Sequence, residues 1–132
     1  MDVDDTREWF EEYVRVFEAC GRGASADISR LMDYYAAPLL LTTEAAAVAL
    51  MTEQEVLATV HDQISGMRAA GYHRSEKLDS ETRSINATTA LHTAEYSRRR
   101  ADGSEIERLR ATYLIIDSRR GRRISALAVH TA

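Results

Sequence analysis

The feature that most constrains this chain is a change of hydrophobic period at Tyr72. Before that residue, apolar side chains recur mainly at helical spacing. After it they alternate, one to each side, almost to the end of the chain. Helical and extended stretches are therefore segregated along the sequence. Strands alternating with helices would imply parallel βαβ units. Segregation predicts helices packed on an antiparallel sheet, an α+β fold.

The first half divides into four elements. A helix is predicted over about residues 5–20. At about 100° per residue, Trp9, Phe10, Tyr13, Val14, Val16, Phe17 and Cys20 share one arc, and Arg7, Glu8, Glu11, Glu12, Arg15 and Glu18 fill the other. Asp5 with Glu8 reads as a capping box, and Gly21 with Gly23 as the stop. A short second helix is expected over about 26–35, capped by Ser25 and ended by Pro38. Leu39–Thr43 and Ala47–Met51 read as a short hairpin. A third helix, about 53–70, opens on the capping box Thr52-Glu53-Gln54-Glu55 and turns Val56, Val60, Ile64 and Met67 inward.

Four strands follow, over about 72–86, 88–99, 105–117 and 122–131. The order is α-α-β-β-α-β-β-β-β. Asp102-Gly103 is a hairpin signal, and Ser118 to Gly121 forms the second turn. Projecting the register from these turns places Tyr96 opposite Leu109, Ala94 opposite Ala111, and His92 opposite Tyr113. It also places Ile115 opposite Ile124 and Leu109 opposite His130. One face then carries Ala90, His92, Ala94, Tyr96, Leu109, Ala111, Tyr113, Ile115, Ile124, Ala126, Ala128 and His130. The other carries Thr93, Glu95, Ser97, Arg108, Arg110, Thr112, Leu114, Ser125, Leu127 and Val129. A one-residue bulge would exchange some of these positions. The first face is rich in alanine with a few Tyr and His. On a curved sheet that leaves space, and a cavity with a few convergent polar groups suits a small ligand.

A length of 132 residues fits a single domain, 1–132, with one core. No stretch is long and apolar enough to span a membrane, and Met1-Asp2-Val3-Asp4-Asp5 is unlike a signal peptide. With one cysteine, Cys20, no internal disulfide forms, and a reducing cytoplasm is the expected location. A net charge of −4 argues against a general nucleic-acid binder. The basic runs Arg98-Arg99-Arg100 and Arg119-Arg120 with Arg122-Arg123 flank turns and read as solvated hairpin tips. His61, His73, His92, His130 and Cys20 show no metal-ligand spacing, and no glycine-rich phosphate loop is present. No metal or cofactor is expected.

The order of elements resembles a known superfamily. An amphipathic first helix is followed by a short helix running into Tyr34-Tyr35-Ala36-Ala37-Pro38, a capped third helix and a long sheet. The ending also matches: Arg98-Arg99-Arg100-Ala101-Asp102-Gly103, then Ala111-Thr112-Tyr113-Leu114-Ile115-Ile116, then Gly121-Arg122-Arg123-Ile124-Ser125-Ala126-Leu127. The chain resembles the NTF2-like, or SnoaL-like, superfamily over nearly its whole length. That resemblance implies a cone-shaped α+β fold, commonly a homodimer, with a pocket between sheet and helices. The superfamily holds isomerases, dehydratases, cyclases and non-catalytic members, so it does not fix function. Set against ketosteroid isomerase, Glu12-Tyr13-Val14 resembles the segment with the oxyanion tyrosine. Tyr113 falls where that enzyme has a protonated aspartic acid. No carboxylate stands in Leu39-Leu40-Leu41-Thr42-Thr43, where its general base would be.

Three functions remain open. The first is a pocket protein for a small, largely apolar molecule, held by Tyr13, Tyr96, Ala94, Ala111, Ala126 and Ala128. The second is a cofactor-free isomerase, dehydratase or cyclase with His92 or His130 as acid/base and Tyr13, Tyr96 or Tyr113 as hydrogen-bond donor. The third is a non-catalytic oligomerisation module whose cavity is filled by side chains.

Overall fold

Asp2 starts the first helix, three residues ahead of the expected Asp5. Its carboxylate accepts the backbone N–H of Asp5 at 2.9 Å. In the computed structural model, which describes residues 1–25 and 27–131, α1 spans Val3–Gly21. Its buried stripe is Thr6, Phe10, Tyr13, Val16 and Cys20, a helical spacing. The expected second helix is a short 3₁₀ helix, Ile28–Asp33, and Ala26, where it was to begin, lies outside the described residues. Tyr35 already belongs to β1 (Tyr35–Thr42), so Pro38 sits inside a strand, not after a helix, and the Ala37–Pro38 peptide is cis. β2 is Ala47–Leu50.

The capping box of α2 (Glu53–Ala69) is present. Thr52 Oγ1 accepts the Glu55 N–H at 3.2 Å, and the Glu55 carboxylate accepts the Met51 N–H at 2.6 Å. Val56, Val60, Ile64 and Met67 are buried as expected. β3 (Tyr72–Asn86), β4 (Thr89–Arg100), β5 (Glu105–Ser118) and β6 (Gly121–Thr131) complete the sheet. Its order is β2-β1-β6-β5-β4-β3. Every neighbouring pair is antiparallel except β1 with β6, which run parallel. The two helices lie on one face of this open, curved sheet, as in an NTF2-like cone. Among the described residues no helix is long and apolar enough to cross a membrane.

The core lies between helices and sheet, centred on Phe10, Leu31, Ile64, Ile115 and Ile124, each no more than 1% exposed. Gly21 closes one end of it. A methyl group there would lie 2.8 Å from Met67 Cε and 2.9 Å from two atoms of the Tyr72 ring. Gly21→Ala is therefore expected to destabilise the fold by about 1–3 kcal/mol through overpacking, against a helix-propensity gain of at most about 1 kcal/mol. Urea denaturation checks this; an unchanged midpoint would mean that Tyr72 yields freely.

Candidate functional site

Strand register decides what faces the core. β4 and β5 pair as projected, with Tyr96 opposite Leu109, Ala94 opposite Ala111 and His92 opposite Tyr113. The route to that register differs, because a bulge at Arg98/Arg99 is compensated by a longer turn. β5 and β6 begin as projected, with Ile115 opposite Ile124. A bulge at Ser125 then shifts the register, so that Leu114 faces Ala126, Tyr113 faces Leu127 and Ala111 faces Val129. The correction follows directly. Leu127 and Val129 belong to the inner face. Ala126 and Ala128 belong to the outer face, and His130 is paired with Arg110 of that face.

A cavity of about 370 Å³ opens between this inner face and α1. Its walls are largely apolar: Val14 and Phe17 from α1, and Leu109, Ala111, Leu127 and Val129 from the sheet. Four phenols stand inside, those of Tyr13, Tyr35, Tyr96 and Tyr113. The Tyr13 and Tyr35 hydroxyls share one hydrogen bond at 2.5 Å. The hydroxyls of Tyr96 and Tyr113 have no partner among the described residues. Burial raises all four pKa values, that of Tyr113 to about 12. The phenols are therefore protonated near neutral pH, and serve as hydrogen-bond donors. Exposed residues form the rim: Thr43, Glu44 and Ala45 of the β1–β2 loop, and Glu107 and Arg108 of β5.

The sequence-derived candidates separate. Tyr13, Tyr96, Ala111 and Tyr113 line the cavity. Ala94 is buried on the inner face but lies outside the lining. His130 borders the cavity from the end of β6. His92 is buried and inward-facing, yet is not part of the lining. Phe10 covers its ring at 3.9 Å between centroids, and Thr82 Oγ1 lies 2.7 Å from its Nδ1. His92 and the cavity phenols therefore do not converge on one void, which removes that histidine from the geometry of a shared acid/base site.

Besides Leu127 and Val129, which the bulge turned inward, Tyr35 and Arg98 escaped the sequence reading. Tyr35 was assigned to the end of the second helix but is the first residue of β1. Arg98 was read as a solvated hairpin tip, yet it lines the cavity with its side chain only 15% exposed. Strand parity carried the signal, since Arg98 stands two residues beyond inward-facing Tyr96.

The fold is shared widely. An NTF2-like protein of unknown function from Shewanella oneidensis superposes with a TM-score of 0.72 at 17% identity, over 98% of this chain and 99% of that one. A putative calcium/calmodulin-dependent protein kinase II association domain from Xanthomonas campestris gives 0.69 at 10% identity, over 100% and 89%. A putative dehydratase of the NTF2-like family from Streptomyces avermitilis gives 0.62 at 15% identity, over 88% and 87%. At such identities these likenesses concern the fold alone. No curated protein matches the chain. The profile of one family, described as "NTF2-like protein (DUF6841)", matches residues 4–132, and the chain belongs to that family.

Proposed function

We propose that this protein binds a small, largely apolar molecule between its sheet and its helices. The observation that carries the reading is the cavity of about 370 Å³, apolar along its walls, with phenol donors inside. That volume falls at the lower end of small-ligand sites, so the ligand is compact, of one or two rings or an equivalent chain. The open void favours this reading over an oligomerisation module with a filled core.

A thermal-shift screen with steroids, aromatic polyketides, small terpenoids and acyl compounds tests it. A ligand at about a hundred times its Kd adds roughly 2.7 kcal/mol, a shift of several degrees for a domain of this size. Tyr113→Phe removes one unpartnered donor and is expected to weaken the best binder several-fold while leaving the fold intact. Silence across the whole screen would reject the proposal.

A second reading has one specific observation behind it. The Tyr13–Tyr35 hydroxyl pair is a donor arrangement that can steady a developing oxyanion, as an isomerase, dehydratase or cyclase requires. In that reading His130, at the border of the cavity, is the remaining histidine to move a proton. Product formation from a carbonyl ligand found in the screen, lost in Tyr13→Phe, is the result that would favour it. We also propose a cytoplasmic homodimer formed through the outer sheet face. Leu40, paired with Ala49 and outer-face Ala126, is about half exposed there, in a groove also lined by Pro38, Ala49 and Ile116. Gel filtration returning only monomer at micromolar concentration would reject the dimer.

A further inference from the structure

Register and parity place an ion pair on the core-facing side of the sheet. Arg98 and Glu107 are direct cross-strand partners, in line with inward-facing Tyr96 and Leu109. Charges on such a face require water or a ligand beside them. The pair is uneven. Glu107 is half exposed at the rim, whereas Arg98 lies mostly inside, its guanidinium carbon 6.0 Å from the centre of the Phe17 ring. Nη1 of Arg98 donates to Glu107 at 3.0 Å, the one hydrogen bond this side chain makes among the described residues. A guanidinium has five N–H donors, so most of its donor capacity is unused.

The interior inventory points the same way. The phenols supply donors, and the Tyr13–Tyr35 bond uses only one of two hydroxyl hydrogens. The carboxylates of the lining, Glu44 and Glu107, stand at the exposed rim. A ligand entering this space meets N–H and O–H groups and one inward cation. The group that satisfies them is an acceptor with negative charge.

We propose that the natural occupant carries a carboxylate on its compact apolar body, with Arg98 and the cavity phenols binding the carboxylate. The inference rests on the ligand-binding reading and specifies the ligand's head group. Arg98 then bridges two carboxylates, Glu107 on its outer side and the ligand on its inner side, as a forked donor can. Because Glu107 competes for the same cation, it tempers affinity for the ligand.

Titration calorimetry with three probes that share one naphthyl body tests the inference: naphthoate, naphthylmethanol and naphthylmethylammonium. Naphthoate is expected to bind at least about tenfold more tightly than the alcohol, a difference of about 1.4 kcal/mol, with the ammonium weakest. Arg98→Met keeps the apolar stem and is expected to abolish the preference for naphthoate while the alcohol still binds. Glu107→Gln, at a half-exposed position, is expected to tighten naphthoate several-fold. Equal binding of naphthoate and alcohol to the native protein would overturn the carboxylate assignment and leave the pocket reading standing. Tighter binding of the ammonium would overturn it in favour of Glu107 as the anchor. Failure of all three at millimolar concentration would overturn both readings.

Discussion

Replacing Phe10 with alanine is expected to destabilise the protein by about 3–5 kcal/mol, and to lower its Tm by roughly 10–20 °C. Phe10 is 1% exposed and stands where three aromatic side chains meet. Its ring centre lies 3.9 Å from that of His92, 4.6 Å from Tyr113 and 5.3 Å from Tyr13. These neighbours are held by their own strands and helix, so they cannot close the gap. The loss is then both transfer energy and an unfilled void. The void adjoins the ligand cavity through Tyr113, which gives the variant a second readout. Its enlarged space should admit bulkier probes than the native protein does. Thermal and urea denaturation measure the first effect. A loss below about 1.5 kcal/mol would mean that α1 settles onto the sheet to refill the site.

Acid is expected to weaken the fold through His92. Burial, with a lesser contribution from the charge of Lys77, brings its pKa from 6.5 down to about 4. The folded state therefore favours the neutral ring. Between those two values the unfolded chain binds a proton that the folded protein does not, so stability falls as the pH falls. The contribution is whole above about pH 6.5. It declines through the interval and is lost near pH 4, for a total of about 2–3 kcal/mol. Asp102 and Glu105, whose carboxyls are held down by Ser104 and Ser97 respectively, act below about pH 4.5. The two windows can thus be told apart. Urea midpoints across the range should slope for the native protein and flatten in His92→Gln. A flat native profile would show that the ring is accessible to protons in the folded state.

The outline of the fold was legible because it rests on strong local signals. A period of 3.6 marked α1 and α2, a period of two marked the last four strands, and Thr52 with Glu55 marked the start of α2. What stayed hidden depended on contacts far along the chain. β1 is the clearest case. Tyr34 and Tyr35 sit on a helix-like apolar spacing with Ile28 and Leu31, and only pairing with β6 makes Tyr35 extended. The bulge at Ser125 is a second case. It breaks no rule of composition, since serine is at home in a strand, yet it inverts every residue after it. That single extra residue carried Ala126 and Ala128 out of the expected pocket and brought Leu127 and Val129 into it. Arg98 was obscured for a different reason. Its neighbours Arg99 and Arg100 suggested a charged tip, and the run concealed that strand parity turns this one arginine inward.

β3 is the last strand of an unclosed sheet, so one side of its backbone has no strand beside it. Bare strand edges invite further strands, and growth of that kind has no natural end. Here the edge carries exposed Arg74, Glu76, Lys77, Asp79, Glu81 and Arg83, with both signs interleaved along fifteen residues. Glu18 of α1 also occupies the Ser75 N–H at 3.2 Å. A strand arriving from another copy would have to strip water from these charges to gain each backbone bond. The interleaved charge of β3 thus acts as a barrier to fibre growth.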